Sequence, residues 1–374
     1  MNYAAPWWLP GGNLQTIWAA LQSRRFLGPQ PVFRRERWST PDEDFVDVDW
    51  LKDGAPTLVT ACTALPPEGA GLAWGGPALR PHVPEQPLLV VFHGLEGSSA
   101  SHYAEALADA ARERGWACAI PHFRGCSGEI NLAPRAYHSG DFAEIDWILR
   151  RFREQRTGPV MAVGISLGGN ALMRWAGEMG AEARQVVAGI ASVCSPLDLV
   201  ASGWAIGRGF NRLVYTRMFL KTMVPKALLK LEQHPGLFDR DRLLAARDLY
   251  AFDNVFTAPV HGFKDADDYW SRASAKPHLH RIAVPALALN ALNDPFVPAS
   301  SLPQAAEAGP HVTLWQPAQG GHVGFPSPPF PGHVRAMPDA VTAFLASQLE
   351  PVYGLNGAAQ APSWDGMQGA ARRP

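Results

Sequence analysis

The chain has 374 residues, enough for one large α/β domain or two small ones, and 47% hydrophobic with 18% charged residues suits a globular enzyme. A formal net charge of −1 gives no global attraction to nucleic acid or acidic membranes. Four cysteines (Cys62, Cys118, Cys126 and Cys194) make no C-x-x-C pair, which argues against a disulfide framework or a zinc site and for free thiols in a reducing compartment.

Residues 1–31 are aromatic and turn-rich, and Trp7, Trp8, Leu9, Leu14, Ile17 and Trp18 are expected on the domain surface. The N-terminus has no basic stretch followed by an apolar run. No apolar run approaches the ~18 residues of a membrane span, so a cytoplasmic location is expected. Val32–Trp38 and Phe45–Leu51 read as an antiparallel pair at a sheet edge, and Thr57–Cys62 as another short strand. Pro66–Pro87 is a Pro/Gly-rich loop. From Leu88 the pattern becomes strand–helix alternation. The predicted strands are Leu88–Phe92, Ala117–Ile120, Val160–Val163, Val186–Val193, Val284–Leu289 and His311–Trp315. The predicted helices are His102–Arg114, Gly140–Arg153, Ala171–Met179 and His333–Leu349. Such alternation predicts a mostly parallel central sheet flanked by helices. Leu199 to Lys276 has helical but no strand signals and reads as a helical lid insertion. The expected organisation is an N-terminal segment with edge strands (1–86), a core in two parts (87–198 and 277–350), the lid (199–276) and a disordered tail (351–374).

One turn carries chemistry. Gly164-Ile165-Ser166-Leu167-Gly168 fits G-x-S-x-G between a strand and a helix, the nucleophile-elbow context. A serine on such a turn is exposed, and the helix starting behind it aims N–H groups at the site. Serine needs a base, the base needs an orienting carboxylate, and in this sheet they follow in the order Ser, Asp or Glu, His. Asp294, in Asn290–Pro295 after a strand, is the expected acid. Asp198, one strand earlier, is the alternative. His322, in the glycine-flanked loop Gly320–Gly324 after the last strand, is the expected base. The oxyanion donors are expected to be the backbone N–H groups of Leu167 and of Leu95, the latter in His93-Gly94-Leu95-Glu96-Gly97. His93 reads as a packing element of that loop. No H-E-x-x-H, Walker A or dinucleotide fingerprint occurs, so no metal or cofactor is expected.

These segments resemble the YheT-like branch of the α/β-hydrolases. The resemblance rests on G-I-S-L-G-G-N at the elbow, H-G-L-E-G-S-S, Phe123–Gly128, Tyr137–Asp141, Asn293–Phe296 and Gly321–Phe325. It extends to the opening Gly12-Asn13-Leu14-Gln15-Thr16-Ile17 and covers about residues 6–348. It implies an α/β-hydrolase fold, a serine hydrolase with Ser166, Asp294 and His322, and carboxylic-ester substrates. Animal members of that branch include acylglycerol and phospholipid lipases, many of them membrane-anchored, an anchor this N-terminus is not expected to supply. Arg124, Tyr137 and Asp141 read as scaffolding beside the site.

The function expected is cleavage of small-molecule esters with a hydrophobic acyl chain, without a nucleic-acid partner. An acyltransferase or thioesterase with the same three residues, another reaction of this fold such as peptide or C–C bond hydrolysis, and a non-catalytic lipid-binding protein are the alternatives. Arg208, Arg212, Arg217, Lys221, Lys226 and Lys230 punctuate the lid with no acidic residue between them. They read either as a peripheral contact for anionic lipid or acidic substrate, or as the solvated face of a helix whose apolar side covers the pocket.

Overall fold

The computed structural model describes residues 3–52 and 86–349. The expected strand Thr57–Cys62, most of the loop Pro66–Pro87, and the tail lie outside the described residues. Among the described residues, eight strands form one sheet in the order β1-β2-β4-β3-β5-β6-β7-β8. These are β1 (Phe33–Ser39), β2 (Phe45–Leu51), β3 (Leu88–Phe92), β4 (Ala117–Pro121), β5 (Val160–Ile165), β6 (Gly189–Val193), β7 (Ala286–Leu289) and β8 (Val312–Trp315). β1 and β2 pair antiparallel, and β2 pairs antiparallel with β4. Every pair from β4 to β8 is parallel.

The parallel strands are apolar on both faces because helices cover both. Leu88, Val90 and Phe92 of β3 join a cluster with Ile148 and Phe152 of α3 (Phe142–Glu154) and Leu172 and Trp175 of α4 (Leu167–Met179). Leu89 and Val91 point the other way, to Leu107 of α2 (His102–Glu113) and to Val341 and Leu345 of the helix Ala336–Ser347. Truncating one of these buried leucines to alanine removes about 2–5 kcal/mol.

Two boundaries differ from the sequence pattern. Val186 ends the short helix Ala183–Val186, and β6 begins only at Gly189, where pairing with Met161 starts. The apolar run crosses from helix to strand, and burial of both hides the join. α1 (Gly12–Leu21) is a helix where only turn-rich chain was expected. Leu9 is buried beside it, while Trp7 is exposed.

Between β6 and β7 the chain forms helical elements from Leu199–Ile206 to Lys276–Arg281, and no strand is described there. Among the described residues no helix is long and apolar enough to cross a membrane. Cys118, Cys126 and Cys194 are free and buried.

Candidate active site

The carboxyl ends of β3, β5, β7 and β8 lie on one edge of the sheet, the edge where open α/β sheets present ligand sites. Ser166 links β5 directly to α4, with φ 52° and ψ −117°. A positive φ on a non-glycine residue is strained and must be held by its surroundings. Two glycines permit it. A Cβ on Gly164 would lie 2.4 Å from the Gly169 Cα, and one on Gly168 would lie 2.5 Å from the His93 carbonyl oxygen. α4 starts at Leu167, four residues before the expected start, so its free N–H end begins at the serine.

The His322 Nε2 is 3.0 Å from the Ser166 Oγ, across 156 residues of sequence. On its other side the His322 Nδ1 lies 2.9 Å from Asp294 Oδ2 and 3.2 Å from Oδ1. A carboxylate only accepts, so Nδ1–H donates to it and the Nε2 lone pair faces the serine hydroxyl. The turn predicted around Asp294 is present: Oδ1 accepts the N–H groups of Phe296 at 2.8 Å and Val297 at 3.3 Å. The Phe296 ring packs on the imidazole with centroids 4.1 Å apart. Asp198 is elsewhere. Its Oδ1 accepts from the Ala201 N–H at 3.0 Å and caps the helix Leu199–Ile206.

The opening motif of the chain has a role that its pattern did not disclose. Thr16 Oγ1 accepts the backbone N–H of His322 at 2.8 Å and donates to the Gly12 carbonyl at 2.7 Å. Gln15 Oε1 accepts from the Gly320 N–H and from the Asn293 side chain, each at 2.9 Å. Asn293 Oδ1 in turn accepts the Gly321 N–H at 3.0 Å. The start of α1 therefore fixes the loops that carry Asp294 and His322. Gln15 is fully buried, and nothing in the local sequence pattern marks it as such. Beneath the same loop, His102 Nε2–H donates to the Val323 carbonyl at 3.1 Å.

The loop after β3 is held at four points. His93 is neutral, its pKa pushed down to about 3 by burial and by His122. Its Nδ1–H donates to the Gly94 carbonyl at 2.8 Å and its Nε2 accepts from the Phe123 N–H at 3.0 Å. The Gly94 N–H donates to the Tyr103 hydroxyl at 3.0 Å. Glu96, at φ 57°, donates its N–H to the Tyr137 hydroxyl at 2.9 Å, and that hydroxyl donates to Glu96 Oε1 at 2.9 Å. Lys226 reaches Glu96 Oε2 at 2.9 Å. Leu95 and Leu167 both line the cavity that contains Ser166 and His322. No acceptor among the described residues takes the N–H of either leucine.

That cavity has an empty volume of about 1130 Å³, including its open mouth. The helical segment between β6 and β7 supplies apolar walls, among them Ile206, Phe219, Met223, Phe252, Phe256 and Trp270. The basic run there is not one solvated face. Lys226 and Lys230 turn inward, and buried Lys230 donates to the carbonyls of Asn131 and Ala133 and to Gln233 Oε1. Arg124 pairs with Asp42, Asp44 and Glu144, and Asp141 with Arg135.

One group of metal-type donors occurs among the described residues: Cys194, Asp294 and His322, within 4.8 Å of one another. All three are engaged. Cys194 Sγ donates to the Gly321 carbonyl at 3.6 Å and accepts the Val323 N–H at 3.2 Å. Burial and the Asp294 charge push this thiol well above its ordinary pKa.

A profile of the alpha/beta hydrolase fold matches residues 87–329. The chain belongs to the α/β hydrolase fold family. It is 39% identical over 293 residues to YheT of Escherichia coli (strain K12), itself named only as a candidate esterase, with 78% of each chain covered. This places it in the YheT-like branch. It is 28% identical over 336 residues to the Mus musculus protein named phospholipase ABHD3, covering 87% of this chain and 75% of that one. A solved structure of a Mycobacterium tuberculosis puromycin-hydrolyzing peptidase superposes with a TM-score of 0.50 at 19% identity, over 85% of this chain and 39% of that one. That last likeness is one of fold.

Proposed function

We propose that the protein is a serine hydrolase that cleaves carboxylic esters with a hydrophobic acyl chain. The observation that carries the reading is the hydrogen-bonded series Ser166–His322–Asp294 opening on an apolar cavity. In this account His322 Nε2 takes the Ser166 proton as Oγ attacks the ester carbonyl carbon. The Leu95 and Leu167 N–H groups donate to the resulting oxyanion. Asp294 holds the imidazole in the tautomer that can accept a proton and offsets the charge it gains. The imidazolium then protonates the leaving alkoxide, which departs as an alcohol and leaves an acyl-Ser166 ester. Water loses a proton to the same histidine, attacks the acyl carbon, and releases the acid while Ser166 regains its proton.

The preference for apolar acyl groups rests on the cavity walls, which favour hydrocarbon over a sugar. The branch relative named as a phospholipase supports a lipid-type ester, and helices 199–276 acting as a lid fit their place over the cavity. Turnover of p-nitrophenyl esters of increasing chain length tests this. The expected profile rises from acetate to medium chains, and Ser166→Ala abolishes it. A profile that falls with every added methylene contradicts the acyl assignment.

A further inference from the structure

The wall of the cavity has an outer face, and that face is unusual for a helix in water. Residues 209–233 form one helical run, with a π-helical turn at Arg212–Thr216. Inward, Tyr215 and Phe219 pack on Phe296, whose ring covers His322, and Met223 lines the cavity. Outward, Phe210, Leu213, Val214, Arg217, Met218 and Lys221 are all exposed. Their spacing is i, i+3, i+4, i+7, i+8 and i+11, a single stripe along one side of a helix. Phe210 is 51%, Leu213 64% and Met218 53% exposed. A solvated face would carry polar residues of both signs there. This one carries four apolar residues and two cations. Arg208 and Arg212 are exposed close by, and no acidic residue occurs between Asp198 and Glu232.

We propose that this stripe docks the protein on an anionic phospholipid bilayer surface. Apolar side chains enter the headgroup boundary while Arg217 and Lys221 meet lipid phosphates, the arrangement of an interfacial helix. A second copy of the chain is a poor occupant. A two-fold pairing sets the same cations against each other with no carboxylate on the stripe to receive them. Docking in this orientation turns the outer side of the helix that carries Phe219 and Met223 of the cavity wall toward the lipid.

The test is co-sedimentation of the full chain with vesicles of phosphatidylcholine alone and of phosphatidylcholine with one-third phosphatidylglycerol, at low and high salt. Binding is expected on the anionic vesicles, about tenfold or more weaker on the neutral ones, and reduced by salt. Arg217→Glu/Lys221→Glu and, separately, Leu213→Ser/Met218→Ser are each expected to weaken it about tenfold or more. Turnover of a short soluble ester is expected to be unchanged in both variants, and Ser166→Ala is expected to bind vesicles like the wild type. Failure of the hydrolase reading is therefore read separately from failure of docking. Equal binding to both vesicle types, or full binding by either double variant, overturns the proposal. So does a dimer in light scattering that the charge-reversal variant abolishes, which assigns the stripe to a second copy.

Discussion

Lys226, on the helix Arg217–Gln233, holds the carboxylate of Glu96 at 2.9 Å, one residue beyond Leu95 in the loop after β3. The helical insertion thus grips the loop proposed to supply an oxyanion donor, and Tyr137 grips the same glutamate from the other side. Removing the grip should misplace the Leu95 N–H. Lys226→Met is expected to lower kcat for a soluble ester by about 10- to 100-fold, and Lys226→Arg to restore most of it. Steady-state kinetics check this. A rise in KM at constant kcat contradicts it.

The start of α1 makes a second expectation specific. Thr16→Val removes the hydroxyl that receives the His322 N–H, at nearly constant volume. The loop carrying His322 loses its anchor, and kcat is expected to fall about tenfold or more. Stability is expected to drop by about 1–3 kcal/mol, because the backbone N–H is left without a partner. Kinetics and thermal unfolding measured together separate the two effects.

The two acid candidates now differ in kind. Asp294→Asn leaves the shape of the turn but favours the wrong imidazole tautomer, and kcat is expected to fall about 10⁴-fold with the fold intact. Asp198→Ala removes a helix cap, with about 1 kcal/mol lost from stability and kcat within about twofold of wild type. Comparable losses of kcat in both variants contradict the assignment.

His102 should contribute a fall in stability as the solution is acidified from pH 7 to 5. Burial pushes His102 down to about 4 from its ordinary 6.5, despite its bond to the Val323 carbonyl. The folded state therefore prefers the neutral ring, and the unfolded chain binds the extra proton between those values. The contribution is present above pH about 6.5 and is lost as pH falls toward about 4. One such histidine is worth roughly 1–2 kcal/mol between pH 7 and 5. Chemical unfolding at several pH values is expected to show a slope over that interval that is shallower in His102→Gln.

Much of this was legible in the sequence for identifiable reasons. Strands covered on both faces, such as β3, read as continuous apolar runs. The G-x-S-x-G turn declares itself because its close approaches exclude any side chain at Gly164 and Gly168. Chain order and loop position single out Asp294 and His322, and the fold brings both side chains into one hydrogen-bonded series with Ser166. What stayed hidden depends on distance. The link from Thr16 to His322 spans 306 residues, and no local pattern encodes it. The inward turn of Lys226 and Lys230 was hidden too. A lysine in a basic run reads as solvated, yet its long stem can carry the ammonium to buried oxygen acceptors. The join at Val186–Gly189 was lost because helix end and strand start are equally apolar.

Covalent capture of Ser166 tests the central claim most directly. The full chain is treated with a fluorophosphonate probe, and the adduct is located by intact and peptide mass spectrometry in wild type and Ser166→Ala. The expected result is one phosphonyl group on the peptide containing Ser166 in the wild type and none in the variant. Its rate should fall in Asp294→Asn in step with kcat. A folded wild type that takes up no probe, with or without lipid vesicles, or that carries it on another residue, contradicts the account.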